Sequence, residues 1–124
     1  MKKDLIFPII IAVAVLVVIG VFVGIIKAKN TPPTDNTMIF FYGDTCPHCQ
    51  LVEEFFAENN VTEKIEFEQL EVYNSVANAK TMADRAAKCG LSKEQLGVPL
   101  LWTGSECFGG DVDIINYFKE KLGL

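Results

Sequence analysis

Hydrophobic positions follow three different patterns along the chain, and the changes between them divide it. Leu5–Ile26 is an unbroken apolar run without a charged residue. Residues 27–37 are polar and contain a proline pair, and from residue 38 onward short apolar runs alternate with helical patterns. We therefore predict an N-terminal membrane anchor over residues 1–26, a linker over 27–37 and one domain over 38–124.

The first run is long enough to cross a lipid bilayer. At about 1.5 Å per residue, a helix over residues 5–26 would measure roughly 33 Å, which matches the hydrocarbon thickness of a membrane. The alternative is a cleaved signal peptide, whose apolar region is normally shorter and precedes a small-x-small cleavage site. No such site follows Ile26, so we predict a retained transmembrane helix over residues 5–26.

The domain carries alternating strand and helix patterns in the order βαβαββα. Met38–Tyr42 is apolar throughout, as expected of a central strand covered on both faces. The later elements follow from helical spacing, period-two alternation, a turn at residues 103–105 and a helix cap at Asp111. They are a helix from Gln50 to Asn60, a strand over Ile65–Glu68, a helix between Asn74 and Cys89, strands Leu100–Trp102 and Glu106–Phe108, and a last helix after Asp111. This order predicts an α/β domain with a four-stranded sheet.

Charge and cysteine content restrict partners and compartment. With 11 basic residues, 16 acidic residues and one histidine, the chain has a net charge of −5, which gives no electrostatic basis for binding nucleic acid. Lysines flank the apolar run on both sides, so the positive-inside rule does not favour either orientation of the helix. Four cysteines suit an oxidising space, so we expect a cytoplasmic N-terminus and an extracytoplasmic domain on a single-pass membrane protein.

The candidate chemistry lies in Cys46-Pro47-His48-Cys49, at the start of the first domain helix. Two cysteines three residues apart at a helix start can close a disulfide, and the positive helix N-terminus favours a thiolate. Cys46 is the predicted nucleophile and Cys49 the resolving cysteine. Pro47 suits the first helical position, where its missing N–H costs no hydrogen bond, and a protonated His48 would favour a negatively charged sulfur.

Three questions stay open at the level of the residues. The dithiol could instead bind a metal ion through Cys46, Cys49 and His48, as a metallochaperone would, although structural zinc sites usually show two closely spaced ligand pairs. The domain could also be a non-catalytic binding module. Cys89 and Cys107 could form a structural disulfide, a second redox pair or two free thiols, because the sequence does not give their separation.

The domain resembles the thioredoxin superfamily in three features: the first strand, the Cys-x-x-Cys at the next helix and Val98-Pro99 before the third strand. Its size is similar to minimal glutaredoxin-like domains. The Pro47-His48 dipeptide is that of DsbA-like oxidants, and the surrounding sequence is similar to thioredoxin domains associated with vitamin K epoxide reductase homologues. Two family positions differ: Thr45 replaces the tryptophan before the first cysteine, and Phe40 replaces a buried aspartate.

The resemblance implies a mixed four-stranded sheet and a thiol-disulfide oxidoreductase that needs no cofactor and no metal. It also implies that Pro99 is cis and faces the dithiol, so that the backbone of Val98 can bind an extended substrate. The expected partners are protein thiols and disulfides, the membrane through residues 5–26 and a membrane redox partner. His48 next to the sulfur favours the oxidising direction, because stabilising the Cys46 thiolate favours the reduced form and makes the disulfide more oxidising.

Overall fold

The computed structural model describes residues 3–29 and 33–124, which fall into two units, Met1–Pro32 and Pro33–Leu124. Helix α1, Lys3–Lys29, belongs to the first unit and has Pro8 inside it. In these two described ranges, no helix combines the length and apolar character needed to cross a membrane. The predicted transmembrane helix therefore lacks structural support.

The second unit is organised by a mixed sheet of four strands in the order β2-β1-β3-β4. Its strands are β1 (Ile39–Tyr42), β2 (Glu68–Glu71), β3 (Leu100–Trp102) and β4 (Cys107–Gly109). Strand β1 pairs parallel with β2 and antiparallel with β3, and β3 pairs antiparallel with β4. The predicted α/β class and mixed sheet are confirmed.

Four helices accompany the sheet: α2 (Pro47–Asn59), α3 (Val61–Lys64), α4 (Val76–Lys88) and α5 (Asp111–Leu122). The predicted element order holds, with α3 and a short 3-10 turn at Lys93–Gln95 as additions. The α2–α3 boundary lies at Asn60, whose φ of 51° places it in the left-handed region, which interrupts a continuous helix.

Side chains of alternate strand residues point to opposite faces of the sheet and belong to two hydrophobic clusters, one on each face. Phe40 and Leu101 join the side chains of α2 and α5, while Phe41 and Leu100 join those of α4 on the opposite face. Period-two alternation along extended strands explains the division. Ile39, Phe40 and Phe41 have no solvent exposure, so β1 is covered on both sides, as its apolar sequence predicts.

Two sequence predictions were displaced by neighbouring structure. The strand expected over Ile65–Glu68 begins only at Glu68, because α3 precedes it and Phe67 packs its ring against Phe56 and Phe118 instead. The cap expected at Asp111 is Gly110, whose φ of 84° suits glycine. Asp111 is instead the first residue of α5, and its carboxylate contacts the His48 side chain.

Part of the stretch assigned to the linker contacts the domain. Within residues 27–37, the first three end α1, residues 30–32 lie outside the described residues, and Pro33 begins the second unit. The carboxylate of Asp35 lies 2.9 Å from Nη1 of the buried Arg85 and 2.7 Å from Nζ of Lys88. The indole N–H of Trp102 donates to the Asp35 carbonyl at 3.1 Å. These contacts hold the entry of the chain against α4 and β3.

The Asp35 contacts predict a pH-dependent contribution to stability. The hydrogen bond and charge of Lys88, with the added charge of Arg85, lower the pKa of Asp35 below its ordinary value of 3.8. A carboxyl with a lowered folded-state pKa stabilises the fold above its unfolded pKa, and this contribution disappears as pH falls through the folded value. Asp35→Asn should therefore lower the urea unfolding midpoint at neutral pH and have little effect in strong acid.

The matched control is Asp84→Asn, which removes the exposed Lys80–Asp84 pair of α4. Exposed pairs of this kind contribute little, so this variant should unfold close to the wild type at neutral pH. A loss of stability in Asp35→Asn that stays constant from neutral to acidic pH would contradict the assignment, since the carboxylate is then not its source.

Candidate dithiol site

Cys46 occupies the N-cap of α2, directly after the turn that leaves β1. The Cys46 amide N–H donates to the Gly43 carbonyl at 3.1 Å, and the Cys46 carbonyl accepts from the Gln50 amide N–H at 3.1 Å. Pro47 follows at the first helical position, where the absent N–H costs nothing. The strand, turn and proline together place the sulfur at the helix N-terminus.

The two cysteines of the motif lie within disulfide distance and differ in accessibility. Their Cα atoms are 5.2 Å apart, and the pair is closed as a disulfide. Cys46 retains 5% of its surface exposure, whereas Cys49 has none. The Cys49 amide N–H also donates to Cys46 Sγ at 3.2 Å. Such an N–H would stabilise a thiolate at Cys46 after reduction, and the exposed neighbours Pro47 and His48 leave this side open.

The turn before β3 lies against the dithiol, although 52 residues separate them. The Val98–Pro99 peptide bond is cis. The Val98 carbonyl oxygen is 3.7 Å from Cys46 Sγ, and the Pro99 carbonyl accepts from the Gly110 amide at 3.0 Å. The structure thus brings together Cys46, Cys49, Val98 and Pro99, four of the residues singled out in the sequence.

His48 contacts a residue that sequence reasoning did not connect with the site. Its Nδ1 lies 2.9 Å from Oδ1 of Asp111, at the start of α5. The imidazole side chain is 69% exposed and the Asp111 carboxylate 21% exposed. The pattern of α5 suggested only a helix cap for Asp111, and no local signal relates positions 48 and 111.

The loop after β2 supports the other side of the dithiol turn. The Asn74 side-chain amide donates to Oδ2 of Asp44 at 2.9 Å, and the Tyr73 ring lies directly over Gly43. A Cβ at position 43 would collide with that ring, so a larger residue there would force the exposed Tyr73 side chain to move away from the turn. These residues, also missed in the sequence, link β2 to the turn that carries Cys46.

Cys89 and Cys107 are joined in a second disulfide, with their Cα atoms 6.1 Å apart. It connects the C-terminal cap of α4 to the first residue of the edge strand β4. Both cysteines also line a groove of about 390 Å³ that reaches Val98 and Pro99. A bond at this position is compatible with either a structural disulfide or a second redox pair, the first two of the three alternatives that the sequence left open, and it borders the dithiol site.

The described residues contain no group of three or more histidine, cysteine, aspartate or glutamate side chains arranged to hold a metal ion.

One carboxyl on α2 has a raised pKa: burial raises the pKa of Glu53 above its ordinary value of 4.5. Glu53 is four residues after Cys49, a spacing that places two side chains on the same helix face. That face therefore carries a carboxyl that keeps its proton to higher pH.

No protein-family model matches the chain, and a search of curated proteins finds no match. The sheet order β2-β1-β3-β4 with the Cys46–Cys49 pair at a helix start is compatible with a thioredoxin-like fold and with an oxidoreductase.

The second disulfide predicts a measurable loss of stability when it is removed. A bond that closes a loop of 18 residues restricts the unfolded chain and contributes about 2–4 kcal/mol. Cys89→Ala/Cys107→Ala should lower the free energy of urea unfolding by about that amount. The glutathione equilibrium of Cys46–Cys49 should stay unchanged in this variant. An unchanged unfolding midpoint, or a changed equilibrium, would contradict a purely structural bond.

Proposed function

We propose that this chain is a membrane-tethered, extracytoplasmic thiol-disulfide oxidoreductase of the thioredoxin-like class that acts on protein cysteines. The observation that carries the proposal is the asymmetric pair at the N-terminus of α2. Cys46 keeps a small exposed surface and its sulfur lies beside the Val98 carbonyl, whereas Cys49 has no exposed surface. This asymmetry supports Cys46 as the exchanging sulfur and Cys49 as the resolving one.

In the oxidising direction, a substrate thiolate attacks Cys46 Sγ, the Cys46–Cys49 bond breaks and Cys49 leaves as a thiolate. A second substrate thiolate then attacks the substrate sulfur of the mixed disulfide and releases Cys46. The substrate loses two electrons, which reduce the protein disulfide to a dithiol. In the reducing direction the same steps run backwards, beginning with attack of the Cys46 thiolate on a substrate disulfide.

Val98 and Pro99 are proposed to receive the substrate backbone. An extended peptide beside the half-buried Val98 would pair with its main-chain groups as a short added strand. The carbonyl lies 3.7 Å from Cys46 Sγ, so a peptide bound there would carry its cysteine to the reacting sulfur. The groove that continues past Pro99 offers room for residues on one side of that cysteine.

The first test titrates the full-length protein in defined glutathione redox buffers and measures the fraction of Cys46–Cys49 disulfide. We expect a reversible two-electron equilibrium that Cys46→Ser abolishes, and Cys49→Ser should accumulate a mixed disulfide at Cys46 because its resolving thiol is gone. A potential near about −120 mV would identify an oxidant and one near about −270 mV a reductant.

Two results would overturn the enzymatic proposal. The first is the absence of a reversible Cys46–Cys49 disulfide in any glutathione buffer. The second is stoichiometric zinc that protects both thiols of the reduced protein from alkylation, which would indicate a metal-binding module. Trapping of Cys89 or Cys107 in place of Cys46 in the Cys49→Ser variant would reassign the exchanging sulfur.

The membrane tether rests on the uncharged run Leu5–Ile26 of the sequence. We predict that the chain stays with the membrane fraction in alkaline carbonate and is released only by detergent. Arginine at the centre of a spanning helix costs about 2.5–3.5 kcal/mol, so Leu16→Arg/Val17→Arg should shift the chain to the soluble fraction, and Leu16→Ile should not.

Orientation is tested in intact cells after mild reduction. An impermeant thiol reagent should label Cys46 if the domain lies outside the cytoplasm. Labelling only after the cells are lysed would contradict the extracytoplasmic assignment. Release of the unaltered chain by carbonate alone would contradict the tether itself.

A further inference from the structure

The contact between His48 and Asp111 joins the dithiol loop to α5 across 63 positions of sequence. Its two partners are held very differently. Asp111 begins a helix whose Ile114 and Phe118 are fully buried, and the preceding Gly110 amide donates to the Pro99 carbonyl at 3.0 Å. The His48 side chain is 69% exposed. The carboxylate therefore lies on a helix anchored in the core, whereas most of the imidazole faces solvent.

We propose that Asp111 is a positioning residue that holds His48 in the disulfide form and thereby lowers the reduction potential of Cys46–Cys49. The inference rests on the proposed redox function and adds a control on its potential. Asp111 need not touch the substrate, because it acts through the orientation of a single imidazole two residues after Cys46.

Reduction of the disulfide changes the charge at Cys46. Two glutathione thiols supply two electrons to the disulfide, one glutathione disulfide forms, and the protein gains a dithiol. When Cys46 is ionised in that dithiol, its proton passes to solvent and a negative charge remains at the N-terminus of α2. An imidazolium at His48 is attracted to this charge, which stabilises the reduced form.

Asp111 competes for the same imidazole. In the disulfide form, Asp111 accepts from His48 Nδ1 at 2.9 Å, and Cys46 carries no charge to oppose that contact. After reduction, any movement of His48 toward Cys46 must first break the contact with Asp111. The reduced form is therefore stabilised only by the difference between two interaction energies of His48, that with the Cys46 thiolate and that with the Asp111 carboxylate. Without the carboxylate the whole attraction favours the dithiol, so the disulfide becomes more oxidising.

The experiment measures the glutathione equilibrium of the full-length protein at one pH for Asp111→Asn, Asp111→Glu, His48→Ala and the double variant His48→Ala/Asp111→Asn. We expect Asp111→Asn to shift the equilibrium toward the dithiol by about three- to tenfold, a range typical of contacting pairs. A tenfold shift corresponds to about 30 mV. Asp111→Glu, which keeps the carboxylate, should restore the wild-type value to within about twofold.

The His48→Ala background separates positioning from a direct effect of charge. Asp111→Asn should change the equilibrium by less than about twofold once the imidazole is absent. Asp113→Asn is the matched control, because it removes an exposed carboxylate from the same first turn of α5. It should leave the equilibrium at the wild-type value.

The outcomes distinguish the inference from the proposed function. If wild-type Cys46–Cys49 titrates reversibly but Asp111→Asn leaves the potential unchanged or lowers it, the inference is overturned and the redox function stands. A rise that persists in full in the His48→Ala background also overturns it, because the carboxylate then acts directly. If the wild-type pair does not titrate, the redox function and the inference fail together.

Discussion

The burial of β1 on both faces is the constraint on which the rest of the domain depends. All four of its residues pair with β2 on one side, and the first three pair with β3 on the other, so the strand forms its backbone hydrogen bonds within the sheet. Phe40 then packs toward α2 and α5 and Phe41 toward α4. Because the helices are held by alternate residues of one short strand, the turn that follows Tyr42 begins from a fixed point.

The position of the dithiol is determined by that strand. The turn after Tyr42 brings Cys46 to the N-cap of α2, and Val52, six residues later on the buried side of that helix, belongs to the cluster that includes Phe40. The antiparallel neighbour β3 begins at the same end, so Pro99 arrives beside Cys46 without a dedicated connection. Sheet pairing and helix packing therefore supply the assembly of the site, while the motif supplies its chemistry.

The parts that sequence predicted well are those governed by local rules. The apolar run of β1, the proline and cysteines at the start of α2, and the Thr103–Ser105 turn each carry their own signal. The start of β2 was misplaced because Ile65 and Phe67 alternate for packing on the α2 and α5 side rather than for pairing in the sheet.

The contacts that escaped prediction are polar pairs between distant positions. The burial of Arg85 was not predicted, because the pattern of its helix showed a buried face of mainly small apolar residues. Its partner Asp35 lies in a stretch whose composition predicted a linker. His48 and Asp111 likewise come from separate elements. Periodicity describes which side of an element is buried, but it holds no information about which polar side chain of another element will lie opposite.

The Asp35 contacts have a consequence for how other molecules reach the dithiol. Asp35 lies beside Trp102, which pairs with Ile39 at the start of β1, whereas Cys46 follows the end of that strand. Four residues at about 3.3 Å each separate these two ends by roughly 13 Å. The incoming backbone at Pro33 is thus held at the opposite end of the sheet from the sulfur pair. A bulky protein approaching Cys46 therefore meets the turns around Gly43, Val98 and Gly110 rather than residues 33–37, which lie at the other end of the sheet.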